Sequence, residues 1–412
     1  MSLFKKSLAV FSSNWIYNIL HFITGVYVVR TFGADGKGFV ALFLAGTGFI
    51  SSMMVLGQTN ASVYFAKKSQ ISIKELVRRI LLLCIVSVIL IGALLLIFRE
   101  VIWNLLFDGV VLDGFSLFLV LAYFPVLIIL LLIKAYYLGL HNLKEYRNVM
   151  MLTSFGGLIL TILLTEYVIK SIYTPIVAVL LIELVVAIIY LVKLYKQTED
   201  PLPEIVGWRK FFSFGLKSHI STVGNALFSR IDYFVIAAFI DLETLGYYSV
   251  AKFFYQALMS VPLSINGLLL GTFSGFDQKD SRKSKALNKK VFNYMLIIMT
   301  GLVVAGLLLG PYFIPLIYGS EFSVSIKPYN VLLIAAVFMG SSSTFQAFFT
   351  GIGKPEVTGK IGVFGGTVKI IFTLLLVSDY SIYGVALATL ASAIIIFILR
   401  LYFFKNTLVY AK

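Results

Sequence analysis

The sequence predicts an all-α polytopic membrane protein, with about twelve transmembrane helices in two parallel six-helix repeats around a central cavity. Three observations predict it. Hydrophobic residues make up 59% of the 412 and charged residues 13%, at a mean hydropathy of +0.96, whereas soluble domains carry about 25% charged residues. The apolar residues fall in runs of about 20 or more, the length of helix that crosses the hydrocarbon core. The breaks between runs alternate between basic-rich and basic-poor. A soluble chain of this length would have to leave much of that apolar surface in water, so the composition excludes an ordinary set of soluble domains.

Taken in order, the first run, 7–29, follows Lys5 and Lys6 and is too long and too Asn-rich for a cleavable leader. Gly33–Gly38 separates it from 38–66, and Lys67–Arg79 leads into 78–98. Asp108–Gly114 precedes 115–140, His141–Arg147 precedes 148–169, and a tight hairpin near Tyr173–Pro175 opens 172–194. Residues 195–210 form a charged cytoplasmic linker between an N-terminal bundle, 1–200, and a C-terminal bundle, 207–412. The second set of runs is 211–239, 246–275, 291–317, 328–352, 357–378 and 381–404, broken at Asp277–Lys290 and Gly353–Glu356. Lipid excludes irregular backbone, so each run reads as helix and each break as an interfacial turn. No break is long enough to hold a folded domain.

A formal net charge of +15 would point a soluble protein towards nucleic acid or an acidic partner. Here the charge sorts along the bilayer instead. With both termini in the cytoplasm, only Arg30, Lys37, Arg99, Lys170 and Lys327 fall outside, and Lys134, Lys217, Arg230, Lys252 and Lys369 fall within the runs. The other 24 of the 34 basic residues are cytoplasmic, as the positive-inside rule requires. A miscounted helix would scramble that alternation. Nucleic acid is therefore not an expected partner.

The halves echo each other. "RTFGADGKGFVALF" from Arg30 matches "AFIDLETLGYYSVA" from Ala238 at an offset of 208, aligning Gly38 with Gly246. "NLLFDG" from Asn104 resembles "PLIYGS" from Pro315, and "YYLGLHNLKEY" from Tyr136 matches "FFTGIGKPEVT" from Phe348. Concordant offsets identify a repeat better than any one match. Six helices per half is an even number, so both halves begin on the same side and the repeats are parallel.

Ionisable residues within apolar helices cost a few kcal/mol each and usually face a cavity or a partner. They are Lys134, Glu183, Lys217, Arg230, Asp232, Lys252 and Lys369: five basic and two acidic, a bias that favours an anionic cargo. On the seventh helix, Lys217, Ser221, Asp232, Asn225, Ser218, Ser229 and Thr222 span about 140° of the circumference. On the first, Asn14, Asn18, His21 and Gly25 fall within about 60°. These faces read as cavity walls or as interhelical hydrogen-bonding surfaces. Lys252, about two turns in from the outside, and Lys369, mid-helix and too deep for easy snorkelling, are read as cavity residues; Lys217 has both options, and Lys134 is read as snorkelling. Arg230 and Asp232 are candidates for a structural ion pair, and Glu183 for the partner of a buried lysine. The run Ser341–Thr344 circles its helix, so some of its hydroxyls must bond back to the backbone. Pro262 is expected to kink the eighth helix. The single Cys84 excludes an internal disulfide, and His21, His141 and His219 have no metal-ligand spacing, so no metal site is expected.

The Asn-rich first helix with "VVRTFGADGKGFVALF" and "LGQTNASVYFAKK" resembles the bacterial polysaccharide transporters, the O-antigen and capsule repeat-unit flippases of the multidrug/oligosaccharidyl-lipid/polysaccharide exporter superfamily. "SRIDYFVIAAFIDLETLGYYSVA", "PLIYGSEF" and "FFTGIGKPEVTGKIG" are similar to the later helices of that family. The resemblance implies a non-enzymatic carrier in a bacterial inner membrane. It would move an undecaprenyl-diphosphate-linked oligosaccharide to the outer leaflet, with a lateral opening for the prenyl tail. It also implies membrane lipids, a polymerase and glycosyltransferases as partners, and no cofactor beyond a coupling Na⁺ or H⁺. On that reading Arg230, Lys252 and Lys369 contact the anionic head group, and Asn14, Asn18, Asn225 and Gln256 line the cavity. Asp232 or Glu183 would hold the coupling ion. The rivals are a multidrug exporter, which needs intramembrane carboxylates for cationic drugs, and a peptidoglycan-precursor flippase, typically of fourteen helices. A membrane-embedded polymerase is a third, but it needs a sizeable extracytoplasmic loop.

Overall fold

A computed structural model describes residues 3–67, 71–97, 114–140, 142–196, 206–274 and 281–407. Its helices are α1 (Leu3–Met54), α2 (Gln58–Lys67), α3 (Ile73–Ile97), α4 (Gly114–Gly139), α5 (Leu143–Tyr167), α6 (Thr174–Lys196), α7 (Trp208–Phe239), α8 (Leu242–Ser274), α9 (Ser281–Tyr318), α10 (Ile326–Gly351) and α11 (Pro355–Asn406). A 3₁₀ turn, Ser320–Ser325, joins α9 to α10. Most of the 195–210 linker, the "NLLFDG" segment, His141, the Asp277–Asp280 stretch and Lys412 lie outside the described residues, as do the side chains of Lys5, Lys6, Ser218 and Ser221.

Eight helices among the described residues are long and apolar enough to cross a membrane. Two of them hold a break. In α1, Gly33 adopts φ 71°, ψ −169°, a conformation open to glycine because it lacks a Cβ. In α11 the break is Ser381, at φ 49°, ψ −141°. Each long helix thus supplies two spans, which we call its first and second limbs. α7 and α8, of 32 and 33 residues, are also long enough but more polar. The apolar faces of α3 and α9 are bare: Ile85, Ile89, Ile297 and Leu308 are all more than half exposed, as lipid-facing residues are. The protein is a multi-pass, all-α membrane protein.

Local sequence signals set the ends. Asn142 caps α5 by accepting the Glu145 backbone N–H. Asp241 does the same for α8 through the Thr244 N–H at 2.6 Å. Pro355 opens α11 at a position where its missing N–H costs nothing.

Within the N-terminal half, α1 packs on α4, α5 and α6, and α2 and α3 pack on α4. Within the C-terminal half, α8 and α9 pack on α10, and α11 packs on α7 and α10. Between halves, α1 lies against α8 and α7, and α2 against α7. One end of the assembly carries Arg78, Arg79, Lys144, Arg147, Lys193, Arg209, Lys210, Lys283, Lys285, Lys289, Lys290 and Lys405 and is called the basic face. The other end is the opposite face.

The halves meet on a symmetric contact. A Cβ on Gly38 would strike the Leu242 carbonyl, and a Cβ on Gly246 would strike the Ala34 carbonyl. Ala34 and Leu242 stand at the same offset of 208 as the two glycines. Equivalent residues of two repeats therefore touch each other reciprocally, as they must beside a two-fold axis. Near the opposite face this contact is joined by Arg30, which donates to the Ile317 carbonyl (2.6 and 2.9 Å) and the Leu316 carbonyl (3.2 Å) at the end of α9. Towards the basic face, Tyr64 stacks on Phe214 at 4.6 Å and Gln58 fills the space left by Gly215. There Arg79 binds Glu75 and the Val206 carbonyl between the rings of Trp208 and Phe211.

Candidate functional site

The first limb of α1, α7 and α8 each carry an amide side chain at one depth. Asn18 stands about fourteen residues before the Gly33 break, Asn225 fourteen before the end of α7, and Gln256 fourteen after the start of α8. At about 1.5 Å per residue all three lie some 21 Å from the opposite face. Asn225 and Gln256 are exposed and Asn18 is half-buried, its amide nitrogen without a hydrogen-bond partner. Asn14, one turn nearer the basic face, donates to the Ser264 hydroxyl at 3.3 Å and so ties α1 to α8.

A second layer, nearer the opposite face, holds the charged groups. Tyr123, Glu183 and Arg230 each stand nine residues from that end of their helices. Glu183 lies beside the Tyr123 hydroxyl and in the field of Lys134, and its Oε2 is buried without a hydrogen-bond partner. His21 stacks on Tyr17 and feels both Lys37 and Lys134. The Lys37 ammonium lies against Gly25 of the first limb, two turns below the Gly33 break. The sequence places Lys37 in an outside loop; the break is a single residue, so Lys37 is already helical and points inward along α1.

Arg230 crosses between the halves. Its Nη1 donates to the carbonyls of Leu44 (3.2 Å) and Ala45 (2.9 Å) on the second limb of α1. It fits there because residue 48 is glycine: a Cβ at Gly48 would meet the guanidinium. Among the described residues Arg230 forms no ion pair. The expected Arg230–Asp232 pair is absent because residues two apart on a helix face different ways.

Asp232 instead takes both buried lysines. Its Oδ2 is 2.6 Å from Lys252 Nζ and accepts from the Tyr248 hydroxyl at 2.7 Å; its Oδ1 is 2.6 Å from Lys369 Nζ. Lys369 also donates to the Phe228 carbonyl at 2.5 Å. Asp232 and Lys369 are 0% exposed and Lys252 is 1% exposed. The reading of Lys252 and Lys369 as cavity residues is therefore corrected. Depth alone distinguishes buried from interfacial, and here the burial is against α7, α8 and α11 rather than against open space. In this conformation each oxygen of Asp232 faces an ammonium group.

The remaining polar positions are mostly structural. Ser341, Ser342, Ser343 and Thr344 each bond to backbone carbonyls three or four residues earlier. Arg400, buried in the second limb of α11, donates to Ser342 and Gln346. Lys217 is exposed, Lys134 half-buried, and Pro262 lies inside α8 without ending it. Sequence reasoning missed Lys37, the tyrosines Tyr17 and Tyr123, and the Gly48 socket. Only the fit of Gly48 under Arg230 had a sequence signal, an isolated glycine within a helical run.

A family profile described as polysaccharide biosynthesis protein matches residues 3–276. An uncharacterized membrane protein of Methanocaldococcus jannaschii is 25% identical over 202 residues, 48% of this chain and 40% of its own length, so the chain spans well under two thirds of that relative. Among solved structures, the lipid II flippase MurJ in an inward closed conformation superposes with a TM-score of 0.76 at 19% identity, covering 96% of this chain and 87% of its own. An inward-facing multidrug resistance MATE family transporter of the MOP superfamily gives 0.72 at 15% identity, covering 96% of each chain. A MATE transporter in complex with MaL6 gives 0.70 at 15% identity, covering 98% and 95%. At these identities the likeness is one of fold.

Proposed function

Because the chain belongs to the polysaccharide biosynthesis protein family, we propose that it is a flippase for a lipid-linked oligosaccharide. It carries an undecaprenyl-diphosphate-linked repeat unit from the cytoplasmic to the outer leaflet of a bacterial inner membrane. The basic face, and with it both termini, is cytoplasmic on this reading. The obstacle is the head group, whose charge and hydroxyls pay a steep desolvation cost in hydrocarbon. The halves rock about the cavity to pass it across, while the prenyl tail stays in lipid.

The observation that carries the reading is the charge of the partly accessible residues in the helix interiors. Arg230 in the seam, with Lys37 and Lys134 in the N-terminal half, is cationic, and Asn18, Asn225 and Gln256 match a glycan's hydroxyls. Among the described residues of this group Glu183 is the acidic member. A site for cationic drugs would need the reverse balance, so the multidrug alternative is the weaker one. Glu183, with a buried oxygen lacking a partner, is the better candidate of the two carboxylates to bind a coupling H⁺ or Na⁺. The enzymes that build and polymerise the repeat unit are its working partners.

The test is translocation in proteoliposomes of a fluorescent, prenyl-diphosphate-linked oligosaccharide. Outer-leaflet label is read by its accessibility to a membrane-impermeant quencher. Protein-dependent transfer of this lipid, without uptake of ethidium, is the expected result. Transfer of ethidium and not of the lipid overturns the reading in favour of a drug exporter.

A further inference from the structure

Arg230 is a charged group held by neutral partners. Its guanidinium is half-buried at mid-depth in the seam between α7 and the second limb of α1, and both of its acceptors there are backbone carbonyls. Those carbonyls belong to helix interior, where they also serve the helix ladder. Those bonds are charge-assisted on the donor side alone, whereas an ionised acceptor adds the direct attraction of opposite charges. An anion arriving beside Arg230 would therefore out-compete the carbonyls for the guanidinium. The socket itself exists only because Gly48 has no side chain.

A reciprocal device lies further along the same seam. Gln58 of α2 occupies the space a Cβ on Gly215 of α7 would need. At the Arg230 end, the polar side chain comes from α7 and the glycine from α1; at the Gln58 end the donors of side chain and space are exchanged. Only the Arg230 contact carries a charge.

We propose that Arg230 is an anion-released lock between the two halves. With the cavity empty, the guanidinium plugs the Gly48 socket and holds α7 to α1. A diphosphate head group draws it out of the socket, and the seam loses its mid-depth charged contact. Binding and loosening are thereby one event. The inference rests on the cargo being an anionic head group, as proposed above, and makes Arg230 a positioning residue for the halves as well as a cargo contact. No bond is made or broken; only the partner of the guanidinium changes.

The experiment uses the full-length protein in lipid nanodiscs, in a Cys84→Ser background. Nitroxides are placed at Lys170→Cys and Lys327→Cys, two exposed positions at the opposite face, one on each half. Electron–electron distance measurements are made with farnesyl diphosphate, with farnesol, and with neither. Diphosphate is expected to add a longer distance component and farnesol to add none. Gly48→Ala, which keeps the cation but fills the socket, is expected to show that component without ligand and still to bind farnesyl diphosphate. Arg230→Met is expected to show it without ligand and to bind about tenfold more weakly, the loss of one charge-assisted contact. Arg230→Lys is expected to restore part of the diphosphate response. If wild type binds the diphosphate but its distances do not change, or if Gly48→Ala keeps the wild-type distribution, the lock is overturned while the flippase reading stands. If wild type does not bind the diphosphate at all, the flippase reading falls and the lock with it.

Discussion

Asp232→Asn is the substitution with the largest expected effect on folding. In the native protein two ammonium groups sit 2.6 Å from the two oxygens of one carboxylate, all three side chains out of contact with solvent. At an effective dielectric constant of about 20, each pair is worth about 6 kcal/mol of gross attraction. Desolvation of the three ions offsets most of that, so the intact cluster adds little net stability. Removing the carboxylate alone is different, because both lysines remain desolvated with no counter-charge. Breaking one buried pair in this way costs about 3–5 kcal/mol, and here a single substitution breaks two. A loss of about 5 kcal/mol is expected, enough to unfold much of a population whose total stability is about 5–15 kcal/mol. The charge count makes a second, sharper expectation. Lys252→Met leaves a balanced Asp232–Lys369 pair and should cost only about 2 kcal/mol, the value of a hydrogen bond to a charged group. The triple variant Asp232→Asn, Lys252→Met, Lys369→Met should regain most of what Asp232→Asn loses. The assay is denaturant unfolding of detergent-purified protein, with membrane abundance measured in parallel. If Asp232→Asn unfolds within about 1 kcal/mol of wild type, or the triple variant is no better than the single, the cluster does not hold these helices in the way described.

Two other substitutions separate the remaining roles. Gly246→Val places a side chain against the Ala34 backbone, which cannot yield as a flexible side chain could. It should force the opposite-face seam apart and raise alkylation of an Ala34→Cys reporter, in a Cys84→Ser background, by about tenfold, a shift of about 1.4 kcal/mol; an unchanged rate counts against the contact. Glu183→Gln is expected to leave lipid-linked substrate binding intact while abolishing the response of translocation to an imposed pH or sodium gradient. Gradient-driven transport at the wild-type rate would remove Glu183 from coupling.

The spans were readable because lipid leaves so few options for the backbone. Runs of apolar residue between charged breaks mark each crossing, and even the breaks at Gly33 and near Ser381 fall between predicted segments. Periodicity also identified which faces of α1 and α7 are polar. It could not say what those faces meet. Lys252 and Lys369 look like cavity residues on their own helices, and only the packing of α7, α8 and α11 reveals that both end on Asp232. The same blindness hid the Gly48 socket. Its partner is 182 positions away, and a glycine in a helix records the absence of a side chain without naming what fills the space. The two glycines at offset 208 were visible as an alignment, yet their direct contact required knowing that the repeats meet along that edge.

The Arg30 clasp differs from the contacts deeper in the seam in how water treats it. Arg30 is exposed, and its acceptors are the last carbonyls of α9, which have no partner within their own helix. When this rim parts, water satisfies the guanidinium and the carbonyls alike, so the net cost of parting is small, about 1–3 kcal/mol at most. A dry contact gives no such exchange. The rim can therefore flicker open and reclose on thermal energy without committing the molecule to anything. Such a rim acts as a draught door rather than a bolt: it slows leakage while leaving the decision to open to the interior.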